Sequence, residues 1–191
     1  MIQDIFKVPI WTTPLKLDNK SMATYCNSLK RKDKGRKISN EGGWQSNNLT
    51  GEHPKLNALF LAIEHNANTF AKELELKTPL VIDNIWININ DYKSYNVRHR
   101  HVGAILSGVY YVSTPKDCGN IVFCNPDQSI EYDWAEYNHN NYNSYTSGRY
   151  WKEARANQLY LFPSWLFHEV EPNKNKKENR ISISFNIKRK S

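Results

Sequence analysis

Cysteine is scarce in this sequence, and the few cysteines are not arranged in pairs. Cys26, Cys118 and Cys124 are an odd number in 191 residues and lack the short spacing of zinc-binding cysteines. This argues against a disulfide-stapled secreted fold, and we expect buried or inert thiols in a reducing, intracellular compartment. Long apolar runs are missing as well, so neither a signal peptide nor a membrane-spanning segment is predicted.

Glycine and proline are also few, with eight of each, and we find no internal repeat. Collagen-like and low-complexity classes are therefore excluded. Aromatic residues make up 13% of the chain, which favours a β-rich globular protein over a disordered one. Because no linker-like stretch divides the 191 residues, one domain spanning residues 1–191 is predicted.

Acidic residues are outnumbered, with 19 against 26 basic ones, for a net charge of +7. The basic residues cluster in segments 30–37, 174–177 and 188–190. No base-reading motif accompanies these runs, which are typical of solvated loops and chain ends. Nucleic-acid binding is thus possible but not indicated.

Two helices are predicted within residues 1–78, where they would support the rest of the fold. The first begins at Asp18 or Asn19, either of which suits a helix cap, and the second begins near Pro54. The apolar positions at helical spacing are Met22, Cys26 and Leu29 in the first, and Leu56, Leu59, Phe60, Ile63, Ala67, Phe70 and Leu74 in the second. His65 falls on the opposite side of the second helix, so we expect it to be exposed and exclude it as a ligand.

From residue 79 the apolar period changes from helical to two, which predicts strands. Ile85, Ile87 and Ile89 alternate with polar residues, and so do Ile181, Ile183, Phe185 and Ile187. We count roughly eight short strands between residues 79 and 188. The fold class predicted is mainly β, a double-stranded β-helix (jelly roll) with the N-terminal helices bracing one sheet.

Two segments fit no period. Residues 126–157 are rich in aromatic residues and asparagine and are interpreted as an insert, which either stacks on a flat or sugar-like substrate or packs onto the body. The aromatic residues are Tyr132, Trp134, Tyr137, Tyr142, Tyr145, Tyr150 and Trp151, and His139 among them is expected at the surface. Residues 39–46 are a loop pinned by Trp44, or a segment that closes over a pocket; both interpretations stay open here.

Three histidines are candidates for a metal site. His99 and His101 point to the same side of a predicted strand, and His168 lies far away in the sequence. Imidazole suits iron, zinc, copper and nickel, so the residue type alone does not select the metal. The alternative is that these are ordinary surface or core histidines.

Arg180 and Ser182 strengthen the metal interpretation. Arg180 follows His168 by twelve residues and begins the last strand, with Ser182 on the same face. A guanidinium offers a planar pair of donors that matches a carboxylate, and a serine hydroxyl adds another donor. Beside an open metal site, this pair suits an oxo-acid with a distal carboxylate, although Arg180 alone also fits a surface ion pair.

The sequence resembles a known family over about residues 5 to 188. The resemblance is carried by SN-GGWQS at 39–46, WIN at 86–88, HRH at 99–101, LSGVYYV at 106–112, FPSWL at 162–166 with His168, and RISISFN at 180–186. These stretches look like a family of 2-oxoglutarate/Fe(II)-dependent oxygenases found in bacteria and in phages of aquatic bacteria. A jelly-roll enzyme in the cytoplasm, the host's cytoplasm if the gene is viral, is what the resemblance implies.

The resemblance also implies roles for individual residues. Fe(II) would be bound by the three histidines, with no catalytic residue beyond the metal ligands. Arg180 and Ser182 would hold the distal carboxylate of 2-oxoglutarate, and Asn88 would donate a hydrogen bond to this cosubstrate. The reaction would be hydroxylation of a substrate with release of succinate and CO2, the substrate being a small molecule, a nucleotide or a protein side chain.

His101 departs from the wider superfamily, whose metal site is His-x-Asp/Glu with a distant histidine. The first choice is a three-histidine site of His99, His101 and His168; the second is two histidines completed by water or a nearby carboxylate. The departure keeps two other functions open. One is a metal-binding jelly-roll protein without turnover, and the other is a cupin-type three-histidine dioxygenase that does not use 2-oxoglutarate.

Overall fold

Two antiparallel sheets face each other, and two helices cover the outer side of the larger sheet. The computed structural model describes residues 1–127, 129–130, 141 and 143–190. The elements are β1 (Trp11–Pro14), α1 (Asn19–Lys30), β2 (Asn40–Glu41), β3 (Trp44–Gln45), α2 (Asn57–Glu73), β4 (Leu80–Asn90), β5 (Tyr95–His99), β6 (Leu106–Ser113), β7 (Ile121–Cys124), β8 (Arg149–Lys152), β9 (Gln158–Pro163), β10 (His168–Val170) and β11 (Arg180–Arg189).

The strand order identifies the architecture. The larger sheet has the order β1-β9-β6-β11-β4-β3, and the smaller sheet has the order β2-β5-β10-β7-β8. Every named pair is antiparallel, and most neighbours are distant in the sequence. The predicted mainly β jelly-roll fold is confirmed.

Both predicted helices form. Asp18 caps α1, since its side chain accepts a hydrogen bond of 3.0 Å from the backbone N–H of Ser21. The second helix begins at Asn57, three residues after Pro54, and His65 is exposed on it as predicted. Among the described residues, no helix is both long and apolar enough to cross a membrane.

The alternation along β4 and β11 decides what each face of the larger sheet does. The isoleucines of both strands point away from the smaller sheet and pack with the buried residues of α1 and α2 in one apolar core. The opposite face carries four neighbouring pairs, in which each residue of β11 lies beside one of β4. The pairs are Arg180 with Asn90, Ser182 with Asn88, Ser184 with Trp86, and Asn186 with Asn84. A polar surface therefore lies between the two sheets.

Three short strands lie where the sequence pattern shows only an irregular lead-in and loops. The two-residue strands β2 and β3 pair with β5 and β4, which belong to different sheets. Gly42 and Gly43 connect them with φ of +64° and +55°, a conformation that glycine adopts without strain. Segment 39–46 therefore connects the two sheets along one side of the sandwich.

The stretch 126–157 contains a strand of the smaller sheet. Residues of β8 pair with β7 from Ile121 to Cys124. In this stretch Tyr145, Tyr150 and Trp151 are about half exposed. The expectations for Tyr132, Trp134, Tyr137, His139 and Tyr142 fall outside the described residues.

Candidate active site and metal centre

The three histidines meet on the inner side of the smaller sheet. His99 ends β5 and lies beside His168, which begins β10. His101 lies two residues beyond β5, where its backbone N–H donates to the carbonyl oxygen of Ser164 at 2.9 Å. Two neighbouring strand ends and one loop residue, held by a backbone hydrogen bond, thus bring His99 and His101 together with His168.

A β-bulge helps to direct this strand end into the cavity. His168 pairs with His99, and Val170 pairs with Asn96. An advance of two residues along β10 therefore corresponds to three residues along β5. The additional residue shifts the alternation, so that Asn96 and His99 both line the cavity. Simple alternation would have placed these two side chains on opposite faces.

The ring nitrogens are close enough to share one ion. One ligand nitrogen from each histidine lies within 4.8 Å of the others. The ring centroids are 4.4 Å apart for His99 and His168, and 5.2 Å apart for His101 and His168. Within the described part of the chain, no carboxylate or thiol joins the three rings.

Backbone carbonyl groups fix two of the rings. Nδ1 of His99 lies 2.7 Å from the carbonyl oxygen of Val97, and Nδ1 of His168 lies 2.9 Å from that of Leu166. Because a carbonyl oxygen only accepts, each Nδ1 must carry the hydrogen and donate it. The Nε2 lone pair of each ring is then available for a metal ion, the usual arrangement of metal-binding histidines.

Burial keeps these rings neutral. It lowers the pKa of His99, and it lowers the pKa of His101 to about 4 together with the repulsion from His99. The pKa of His168 is well below its usual 6.5, mainly through burial and then through His99. Neutral imidazole is the form that binds a metal ion, so the site needs to lose few protons to do so.

These shifts predict how the stability of the metal-free protein depends on pH. The unfolded chain takes up protons near pH 6.5, whereas the folded protein resists them down to about pH 4 at His101. The free energy of unfolding should therefore be highest above pH 6.5 and fall as the pH decreases through this window. Thermal unfolding of the metal-free protein across the window measures the effect.

The variant His101→Gln should show a shallower pH dependence, and the exposed His65→Gln should keep the wild-type curve. Equal curves for wild type and His101→Gln would contradict the prediction.

Arg180 lies at the end of the cavity away from the three histidines, and one of its guanidinium nitrogens has no hydrogen-bond partner among the described residues. Its side chain is buried, and Nη1 donates to the carbonyl oxygens of Cys118 and of Glu171, the latter at 3.0 Å. Nη2 is buried and has no hydrogen-bond partner among the described residues. Burial lowers the pKa of this arginine, and an unpaired buried cation is costly. The geometry suits an anion at Nη2.

Asn88 and Ser182 lie between Arg180 and the histidines and line the same cavity. The Asn88 amide donates to Ser184 Oγ at 3.0 Å, and its buried Oδ1 lacks a partner in the described structure. A serine hydroxyl donates as well as it accepts, so the amide can turn and present its N–H groups to the cavity. All six predicted site residues therefore face one space.

Other residues line this cavity without having been singled out from the sequence. They are, among others, Trp86, Asn90, Tyr111 and Ser184. Period two on β4 and β11 places Trp86, Asn90 and Ser184 on the same face as Asn88 and Ser182, so that pattern was a usable signal. The sequence contains no such signal for Tyr111, because its strand is apolar on both faces.

Comparison with known families identifies the chain. A family model described as 2OG-Fe(II) oxygenase, where 2OG is 2-oxoglutarate, matches residues 84–186, more than half of the chain and all six predicted site residues. The chain belongs to the 2OG-Fe(II) oxygenase family. It is therefore an oxidoreductase whose cofactor is Fe(II) and whose cosubstrate is 2-oxoglutarate.

Solved structures share the fold of this oxygenase. A prolyl-4-hydroxylase from Pseudomonas putida has a TM-score of 0.68 at 15% identity, covering 95% of this chain and 93% of that one. A viral collagen prolyl hydroxylase from Paramecium bursaria Chlorella virus-1, solved with 2-oxoglutarate, has a TM-score of 0.60 at 12% identity, covering 95% and 96%.

HygX from Streptomyces hygroscopicus, solved with nickel and 2-oxoglutarate, has a TM-score of 0.57 at 12% identity, covering 95% and 83%. A comparison with curated protein sequences gave no match.

The residues of this oxygenase fit the two groups that the family uses. Three neutral, converging imidazoles are suitable ligands for Fe(II). The unpartnered Nη2 of Arg180 provides a buried cationic donor for a carboxylate. Both features belong to one cavity.

Proposed function

We propose that this oxygenase hydroxylates its substrate with Fe(II) held by His99, His101 and His168, while Arg180 and Ser182 anchor 2-oxoglutarate. The observation that carries the proposal is the buried, unpartnered Nη2 of Arg180 in the cavity of the three histidines. A solvent-facing ion-pair arginine would not be 1% exposed, and Arg180 makes no ion pair within the described residues.

Charge supports a dianionic cosubstrate. The proposed ligands are three neutral rings, where the wider superfamily has two rings and a carboxylate. The site is one unit more positive than that arrangement, which favours 2-oxoglutarate. Asn88, with its amide turned towards the cavity, is proposed as a further donor to the cosubstrate.

When bound, Fe(II) and 2-oxoglutarate would supply the oxidising chemistry with dioxygen as the oxidant: one oxygen atom of O2 would enter succinate, which is formed with release of CO2, and the other would hydroxylate a substrate C–H bond. The chain's own residues bind, orient and exclude water. Arg180 and Ser182 fix one end of the cosubstrate, and Val109 and Phe162 give the cavity buried apolar walls. We assign no proton-transferring residue beyond the metal ligands.

We also propose that the enzyme works in a cytoplasm, that of the host cell if the gene is viral. Cys26, Cys118 and Cys124 are all buried, and none of them forms a disulfide bond among the described residues. Cysteines without disulfide bonds are the usual state in a reducing compartment.

Anaerobic titration with Fe(II), with and without 2-oxoglutarate, tests the cofactor assignment. We expect a weak visible charge-transfer band that needs both components. Exposure to oxygen should then yield succinate, and its rate should rise when a substrate is present. The substrate panel should contain peptides, nucleotides and small metabolites, with proline peptides first because two of the structurally similar enzymes are prolyl hydroxylases.

Other outcomes identify the competing functions. Metal binding without succinate, across the whole panel, would indicate a binding protein without turnover. Oxygen consumption that does not depend on 2-oxoglutarate would indicate a cupin-type three-histidine dioxygenase. Absence of both band and succinate would contradict the proposal.

A further inference from the structure

His101 is held differently from the other two histidines. The rings of His99 and His168 donate to backbone carbonyl groups, whereas the ring of His101 lies beside the side-chain amide of Asn186, which acts to raise the pKa of His101. A backbone carbonyl group can only accept a hydrogen bond. A side-chain amide can present either its oxygen or its nitrogen, so something must decide which one faces His101.

Hydrogen bonds to the two neighbouring strands hold both ends of the Asn186 amide. Ser107 of β6, Asn186 of β11 and Asn84 of β4 are direct neighbours on the inner face of the larger sheet. Asn186 Nδ2 donates to Asn84 Oδ1 at 2.9 Å, and Ser107 Oγ donates to Asn186 Oδ1 at 2.7 Å. The bond to Asn84 places the Asn186 nitrogen on the side of Asn84 and its oxygen on the side of Ser107, whose hydroxyl can either donate or accept.

A carboxylate at the end of this row fixes the direction of every bond. Asn84 Nδ2 donates to Asp83 Oδ2 at 3.1 Å, and Lys188 Nζ lies 2.7 Å from Asp83 Oδ1. A carboxylate only accepts, so Asn84 must turn its nitrogen towards Asp83 and its oxygen towards Asn186. Asn186 must then donate to Asn84, which leaves its own oxygen for His101.

A β-bulge makes the arrangement possible. Along β11 the residues Asn186 and Ile187 are consecutive, but their partners on β4 are Asn84 and Ile82. Asp83 is the additional residue on β4, and this irregularity lets its carboxylate reach the amide of the next residue along the chain.

We propose that Asn186, oriented by Asn84 and Asp83, is a positioning residue that holds His101 as the tautomer whose free nitrogen faces the metal site. The proposal rests on the proposed function, in which His101 is a ligand. The ring nitrogen next to Asn186 carries the hydrogen and donates it, and the other nitrogen keeps its lone pair. Trp86, stacked on the ring at 5.7 Å and 19°, restricts its rotation.

The relay also ends in a carboxylate, paired with Lys188, behind the one proposed ligand that replaces a carboxylate. Asp83 polarises His101 through two amides, and acceptors of this kind raise the basicity of a metal-binding imidazole. In this chain the Asp83 carboxylate would lie away from the metal ion, and the three proposed ligands themselves would be neutral.

The test compares Asn186→Leu with Asn186→Asp in metal binding. Leucine keeps the branched shape of the side chain and removes the acceptor, so we expect the affinity for Co(II), followed by its visible absorption, to fall by about 10- to 100-fold. Aspartate restores an acceptor that cannot be turned into a donor. It should retain the wild-type affinity and shift the charge-transfer band of the Fe(II)–2-oxoglutarate complex.

Two further variants keep the test independent of folding. Ser107→Ala removes a neighbour of Asn186 but leaves the relay intact, and it should bind Co(II) like the wild type. Asp83 is partly exposed, so Asp83→Ala should fold normally. Its affinity for Co(II) should nevertheless fall, as that of Asn186→Leu does.

His101→Ala separates this inference from the proposed function. If His101→Ala loses Co(II) binding and Asn186→Leu does not, the positioning role is overturned and the three-histidine site stands. If Asn186→Asp is as impaired as Asn186→Leu, the amide is only structural and the inference is overturned as well. If His101→Ala itself binds metal like the wild type, the proposed ligand set is overturned too.

Discussion

Arg180→Ala is expected to weaken the binding of 2-oxoglutarate by at least about 30-fold while leaving Fe(II) binding largely intact. Truncating one partner of a buried, hydrogen-bonded charge pair costs roughly 2 kcal/mol or more, and about 1.4 kcal/mol corresponds to tenfold in affinity. The arginine is 1% exposed, and no other arginine or lysine among the described residues lines the cavity, so none can replace its charge beside the carboxylate. Titration of the anaerobic Fe(II) enzyme with 2-oxoglutarate, followed by the charge-transfer band, measures the effect.

The control for this prediction is Arg189→Ala. Arg189 ends the same strand but is exposed, so its loss removes a charge without touching the cavity. Arg180→Met is a useful companion, because it fills most of the volume that alanine would leave empty. If Arg180→Ala and Arg180→Met lose Fe(II) and 2-oxoglutarate equally, Arg180 supports the fold and does not anchor the cosubstrate.

His168→Ala is expected to reduce Fe(II) affinity by more than the roughly 100-fold that changes around a metal ligand can cost. His168 is buried, and the centroid of its ring lies 4.4 Å from that of His99 and 5.2 Å from that of His101. Removing it leaves two ligands on one side of the site. Succinate formation should be lost with the metal, and Fe(II) or Co(II) titration measures the binding directly.

His65→Ala is the matched control, since His65 is exposed on α2 and outside the site. It should bind metal and form succinate like the wild type. Metal affinity that survives in His168→Ala, in a protein that unfolds at the wild-type temperature, would show that the ion is bound elsewhere.

Much of the site could be predicted because it depends on periodicity. Alternation along β11 places Arg180 and Ser182 on one face, and it places Asn186 there too. Helical spacing excluded His65, and the resemblance in six separate stretches indicated the family that the model for residues 84–186 then confirmed. These features are local, so the sequence expresses them directly.

Other features were not predictable, since they depend on register between distant strands. The two-residue strands β2 and β3 are too short to show a period, yet they connect both sheets. The bulge that turns Asn96 and His99 to the same side exists only in the pairing of β5 with β10. Tyr111 faces the cavity because β6 lies between β9 and β11, which no property of its own strand reveals.

The sequence by itself determined which side chains share a face, which helices cover the sheet, and which histidines were candidates. Only the tertiary structure decided that Arg180 has a buried, unpartnered nitrogen and that the three rings converge within 4.8 Å. It also decided the direction of the hydrogen bonds that run from Asn186 through Asn84 to Asp83. The physical reason is that periodicity is a property of neighbouring residues, whereas burial, distance and hydrogen-bond direction are created where strands far apart in the chain come into register.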